Sequence, residues 1–81
     1  MKKTAPISGR NLIGSRLREI RLAQNPEVTL EDLAGRMAAR GVNLDRSALG
    51  RIERKKRYVL DYELVALAKC LRTKIEDFLS S

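Results

Sequence analysis

Apolar side chains return at helical intervals along almost the whole chain, and nowhere do they alternate as a half-buried strand requires. Ile13, Leu17 and Ile20 with Ala23 follow i, i+4, i+7 spacing and predict an amphipathic first helix from Ser8. It ends at "QNPE", because Asn and Pro punctuate helices. Thr29 is a good N-cap for a second helix, with Asp32 at the capping-box position and Leu30, Leu33, Ala34 and Met37 on the buried face. Gly41 closes that helix, being the residue best able to take the left-handed conformation past a helix end. Only Val42, Asn43 and Leu44 separate it from Asp45, the next N-cap, so the second helix and the third (46–54) must meet at a steep angle. A fourth helix over 61–71 buries Leu64, Val65, Leu67, Ala68 and Leu71, and a short fifth over about 74–79 buries Ile75, Phe78 and Leu79. The expected fold class is all-α, a five-helix bundle. It forms one domain over 9–79, after a flexible basic arm over 1–8 in which Pro6 discourages helix at its neighbour.

Length and composition narrow this further. Eighty-one residues support one small core, and with only Tyr58, Tyr62 and Phe78 as aromatics it is built from Leu, Ile, Val, Ala and Met. A single cysteine, Cys70, excludes an internal disulfide and reads as a small buried hydrophobe between apolar neighbours. "MKK" resembles the start of a signal peptide, but "TAPISGRN" follows where an apolar run is needed, and no stretch is long enough to span a membrane. A cytoplasmic protein is expected.

Charge changes the picture most. The net charge is +7, and it is segregated. Residues 1–26 carry six bases and one acid, and residues 46–57 again six bases and one acid, while 27–45 and 58–81 are mildly acidic. Once folded, two basic blocks make a cationic face, and polyanions are its obvious partner.

The third helix shows how that face is used. Advancing each residue by roughly 100° places Ala48, Leu49 and Ile52 on one arc, toward the core. Arg46, Ser47, Gly50, Arg51 and Arg54 fall on the opposite arc, which is basic and free of large apolar groups. The major groove of B-DNA admits such a helix, and Arg grips guanine O6 and N7 bidentately. Arg46, Ser47 and Arg51 are therefore candidates for reading bases, with Gly50 between them. Lys55, Lys56 and Arg57, where the chain leaves the helix, suit phosphates, and Arg54 and Arg16 join that set. The lone acid, Glu53, angles back toward the body of the protein, where an unpaired carboxylate is costly. Arg21 of the first helix is its expected partner; Arg57 and Arg54 are local alternatives.

The motifs "IGSRLREIR", "TLEDLAGRM", "LDRSALGRIERKKR" and "DYELVALAKCL…IEDFL", in this order over residues 9–79, resemble the xenobiotic-response-element type of helix-turn-helix family, which includes the lambda-type phage repressors and Cro proteins. The resemblance implies a lambda-repressor-like fold whose second and third helices form the helix-turn-helix. It puts Arg46, Ser47 and Arg51 at base-reading positions, and Thr29 with the first turn of helix two at a phosphate. Lys55 to Arg57 fall on a backbone-contacting loop, and Arg21 with Glu53 on an ion pair joining helices one and three. A cytoplasmic, nucleoid-associated regulator of bacterial or phage type is implied, binding double-stranded DNA as a homodimer. The departures are Leu30 where a Gln often helps hold phosphate, a longer helix two and turn ("GRMAARGVN"), Gly50 where a polar residue is usual, and Lys55 where a Gly commonly ends helix three. Lys55 then takes a left-handed conformation, or the helix runs on.

Other functions have less to build on. With no His, no Gly-rich phosphate loop, no clustered metal ligands and no base beside Ser15 or Ser47, an enzyme is not expected, nor a metal, cofactor or small-molecule ligand. Asp32, Asp61 and Asp77 read as helix-start acids. Tyr58 either touches a phosphate or packs on the bundle. An antitoxin or adaptor role would be favoured by a large exposed apolar patch, and the sequence leaves no obvious surplus of apolar residues. Single-strand recognition is disfavoured by the scarcity of aromatics. Charge-driven, non-specific nucleic-acid binding is the remaining alternative. Dimerisation would use the bundle itself, at the exposed end near helices four and five, or occur on DNA only.

Overall fold

The structure, a computed structural model, describes residues 11–79; the arm expected over 1–8 lies outside the described residues, as do Lys2, Lys3 and Arg10. Five helices follow one another with no strand among the described residues: α1 (Gly14–Ala23), α2 (Leu30–Ala39), α3 (Arg46–Glu53), α4 (Asp61–Cys70) and α5 (Ile75–Leu79). α1 lies between α3 and α5, α2 lies between α3 and α4, and α4 and α5 close the bundle.

Local chemistry sets each boundary. Asn11 delays α1 beyond the expected start at Ser8: its Oδ1 accepts from the N–H groups of Ile13 (3.2 Å) and Gly14 (3.0 Å), holding a turn before the helix. α2 opens on a complete capping box, with Thr29 Oγ1 accepting from Asp32 N–H and the Asp32 carboxylate accepting from Thr29 N–H. It closes at Gly41, whose φ of 81° lets Gly41 N–H reach Ala38 O and Val42 N–H reach Met37 O. α3 opens on Asp45, whose carboxylate accepts from Ala48 N–H at 2.8 Å. α4 opens with Glu63 reaching back to Leu60 N–H at 3.0 Å.

The core is aliphatic around one aromatic ring, as the composition requires. Leu17, Leu33, Met37, Leu49, Ile52, Leu67, Leu71 and Phe78 are fully buried, and Cys70 is buried beside them with its thiol on the Met37 sulfur. Burial pushes the Cys70 thiol above its ordinary pKa against the opposing charges of Arg40 and Arg36. Three residues expected inside are exposed: Ala23 in the last turn of α1, Val65 on the outer face of α4, and Leu79 at the end of α5. Helical spacing gives a face but not its width, and these three sit at the rim. The expectation of no apolar surplus also fails, since Leu12, Tyr58, Leu60, Tyr62, Val65 and Leu79 all stand well exposed.

Candidate nucleic-acid interface

α3 is fastened from behind. Ala48, Leu49 and Ile52 are buried, and the Arg21 guanidinium grips the Glu53 carboxylate with two hydrogen bonds, Nε–Oε2 at 2.7 Å and Nη2–Oε1 at 3.0 Å. Both side chains are almost wholly buried. The remaining Arg21 nitrogen, Nη1, donates to Val28 O at 2.8 Å, so one side chain joins α1, the segment before α2, and α3. The acid inside the basic block is thus neutralised internally, and Arg57 and Arg54 are not its partners.

A second tie lies at the exit of α3. Asn11 Nδ2 donates to Ile52 O (2.8 Å) and Arg57 O (3.0 Å), pinning the approach to α1 against the end of α3. Gly14 lies at the same place, where a β-carbon would fall inside contact distance of the Ile52 carbonyl oxygen. Past Glu53 the chain makes a second left-handed helix end, with Lys55 N–H on Ile52 O and Lys56 N–H on Arg51 O. Lys55 holds φ 62° there, which settles the alternative left open above: the helix stops. A β-carbon in that region costs about 1–2 kcal/mol relative to its absence. Lys55→Gly is therefore expected to raise stability by about 0.5–1 kcal/mol in urea unfolding.

On the outward arc Arg46, Ser47 and Arg51 are exposed together, and Arg54, Lys55 and Lys56 continue the positive surface past the helix end. Arg46 has an acid within reach, Glu31 in the first turn of α2, at 3.9 Å with both side chains more than two-thirds exposed. Such a pair is worth little in water and leaves Arg46 available. Glu31 was not among the expected site residues, and nothing in a one-dimensional pattern places it beside α3.

Four expected site residues stand differently from the sequence reading. Gly50 is buried: the Arg54 guanidinium and Leu30 cover the space where its β-carbon would project, so it is not on the open arc. Arg57 is taken up internally, its guanidinium forking onto the buried Glu63 carboxylate (2.9 and 3.1 Å) and donating to Tyr58 O. Arg16 pairs with Glu19 at 3.1 Å and lies near enough to Asp77 of α5 to help lower its pKa, which places it on the α5 side of α1. Thr29 keeps its N-terminal place, but the Asp32 carboxylate already occupies that helix end and Glu31 stands beside it, so a phosphate approaching α2 meets two acids.

The Arg57–Glu63 fork has a pH signature. Burial pushes the Glu63 carboxyl up, but the hydrogen bonds from Arg57 and Leu60 and the Arg57 charge outweigh it and hold its pKa below the ordinary 4.5. A lowered carboxylate contributes stability that is present above the unfolded-state value and lost as pH falls through the folded one. The gap in melting temperature between wild type and Glu63→Gln is therefore expected to be widest near neutrality and to close below about pH 4.5. A gap that stays constant down to pH 3 rules this linkage out.

Among the described residues no His, Cys, Asp and Glu cluster is arranged to hold a metal, and no helix is long and apolar enough to cross a membrane. Comparison with family models, with curated proteins and with solved structures gave no match to this chain.

Proposed function

We propose that this chain is a sequence-specific double-stranded DNA-binding regulator, acting as a repressor, that inserts α3 into the major groove, with α2 and α3 as its helix-turn-helix. The observation that carries this reading is the division of α3 into two faces. One is locked to the body by the core and the Arg21–Glu53 pair; the other presents Arg46, Ser47 and Arg51 to solvent with no large apolar group among them. A rigid helix with short and bidentate donors suits base edges. Lys55, Lys56 and Arg54 suit flanking phosphates, which set register without reading sequence.

One module of this size grips DNA through a few contacts, so two copies on half-sites about one helical turn apart are expected. Arg51→Ala is expected to weaken binding to the preferred duplex by about 1–3 kcal/mol and to relax preference at a single base pair. Lys56→Ala is expected to weaken all duplexes alike and to reduce the slope of log K on log salt by about one. Anisotropy titrations on matched and scrambled duplexes at several salt concentrations check both. If the two variants lose affinity equally on both duplexes, the base-reading role of Arg51 is wrong, and charge-driven binding is the better description.

A further inference from the structure

We propose that the groove between the second half of α2 and the end of α4 binds a small phosphate-rich anion, a free molecule carrying two or more linked phosphates. The proposal goes beyond the DNA-binding reading and does not depend on it. The groove measures about 800 Å³, within the range of small-molecule sites, and the turn over 24–28 forms one of its sides. Four cations line it: Arg36 and Arg40, one turn apart on α2, and Lys69 and Arg72 where α4 ends. All four are exposed, and none forms an ion pair among the described residues. The acids at the groove are Glu27 and Asp32. Asp32 stands one turn before Arg36, but its carboxylate accepts from Thr29 N–H instead.

Two of the charges meet at one point. Arg36 Nη1 donates to Cys70 O at 3.1 Å. Burial raises the pKa of the Cys70 thiol, and the Arg40 guanidinium beside it, with Arg36, opposes that rise. Two guanidinium groups thus gather at Cys70 with no negative charge between them, a repulsion that a bound anion relieves. Each Arg carries five N–H donors, so both keep donors to spare. Forks approaching from two sides suit the several oxygens of a phosphate, whereas one planar carboxylate matches one fork. Lys69 and Arg72 supply a second pair of charges along the same groove, for a second phosphate. Helix ends attract cations, but the last carbonyls of α4 already have donors, Arg36 on Cys70 O and Gln24 on Leu71 O. Arg72 also stands where the backbone favours glycine: its φ is 54°, held by Arg72 N–H on Lys69 O and Thr73 N–H on Ala68 O.

The groove is separate from the outward arc of α3. Advancing about 100° per residue puts Arg36 and Arg40 on the side of α2 opposite Ala34 and Ala38, which line the cleft toward α3. A duplex held by α3 therefore lies across α2 from these four cations, and a free anion is the occupant. No aromatic side chain lines the groove, so it reads phosphate charge and not a stacked base.

The test uses the full chain and tripolyphosphate as the probe, at about 150 mM salt where diffuse attraction is screened. Calorimetry is expected to give one site, with NMR shifts at the Arg36 and Arg40 side-chain N–H groups and at the amides of 69–72. Arg40→Gln and Arg72→Gly are each expected to weaken binding about fivefold or more, while Arg51→Ala and Lys56→Ala leave tripolyphosphate binding unchanged. Arg72→Gly relieves a left-handed side chain, so its loss of binding cannot come from unfolding. Inorganic phosphate, with fewer charges to place, is expected to bind about tenfold more weakly or less tightly still. Equal losses from the groove and α3 variants mean that the probe spreads over the whole basic surface, and overturn the proposal. A glutamate-rich peptide that binds the groove as tightly as tripolyphosphate overturns it in favour of an acidic protein partner. Duplex affinity that falls with Arg40→Gln and Arg72→Gly as far as tripolyphosphate affinity does assigns the groove to the DNA backbone, and overturns it too. A chain that prefers no DNA sequence defeats the function reading alone, and these titrations still decide the groove.

Discussion

Gly14→Ala is expected to destabilise the domain by about 2–3 kcal/mol and to lower its melting temperature by roughly 10–20 °C. Alanine is ordinarily the better helix residue, by about 1 kcal/mol in a helix interior, so propensity alone gives the opposite sign. Contact decides the matter. The new methyl would penetrate the Ile52 carbonyl oxygen and come within 3.1 Å of the Glu53 carbonyl oxygen and 3.0 Å of the Lys55 Cγ. The Lys55 stem can move, but the two carbonyls belong to the last turn of α3. Ile52 O also accepts from Asn11 Nδ2 and from Lys55 N–H, so shifting it loosens the approach to α1 and the exit of α3 together. Ser15→Ala, one residue on and exposed, is the control and should change stability by less than about 0.5 kcal/mol. Thermal unfolding by circular dichroism reads both. A Gly14→Ala protein as stable as wild type would show that α1 and α3 do not approach this closely.

The second large effect concerns the ion pair. Glu53→Ala leaves the Arg21 guanidinium buried with one remaining partner, Val28 O, and is expected to cost about 3–5 kcal/mol. Domains of this size hold about 0.05–0.15 kcal/mol per residue, so much of the variant would be unfolded at 37 °C. The cost measures the charge left alone rather than the value of the pair. Replacing both members, Arg21→Met with Glu53→Leu, is accordingly expected to recover most of the stability, within about 1–2 kcal/mol of wild type. Urea unfolding of the two single variants and the double variant gives the coupling energy. Additive losses would mean that the two groups do not sense each other. In the double variant α3 is still anchored by Leu49 and Ile52, so, under the proposed function, a duplex titration asks whether the pair also fixes the helix's angle.

The helices were legible because their signals are local. Thr29 with Asp32, Asp45 before α3 and Gly41 after α2 each act within one turn, and each stands where the spacing put it. The Arg21–Glu53 pair was legible for a different reason: a lone acid at the edge of an apolar arc must be met by a base from another helix. What was not legible depends on distances between elements. Gly50 occupies the outward arc of an isolated helix, but α2 brings Leu30 against that side and Arg54 folds over the gap. Arg57 reads as one more cation in a basic run, because Glu63 follows an apolar Leu60 and not a capping Ser, Thr or Asp, and nothing local marks it as turned back toward Leu60 and Arg57. Asn11 gave only a polar letter before the first apolar position. Its importance comes from the carbonyls of α3 and Arg57, more than forty residues away. Val65 and Leu79 show the limit of periodicity, since the width of a buried face is set by how many neighbours surround the helix.

The refined site is thus smaller than the basic run suggested. Under the proposed function, Arg46, Ser47 and Arg51 are the exposed side chains left to read bases and Arg54, Lys55 and Lys56 those left for phosphates, with Glu31 as an acid at the rim. On the same proposal Glu31 would bear on specificity, since a carboxylate at this edge can accept from cytosine N4 and repels a misplaced phosphate. The most direct test is selection of bound duplexes from a random pool at about 150 mM salt, where non-specific grip is weak. Enrichment of a palindrome with half-sites about one helical turn apart, relaxed at defined base pairs by Arg46→Ala and Arg51→Ala, is the result predicted. Binding that enriches no sequence, or that the two substitutions leave unchanged, contradicts the assignment of α3 as the reading helix.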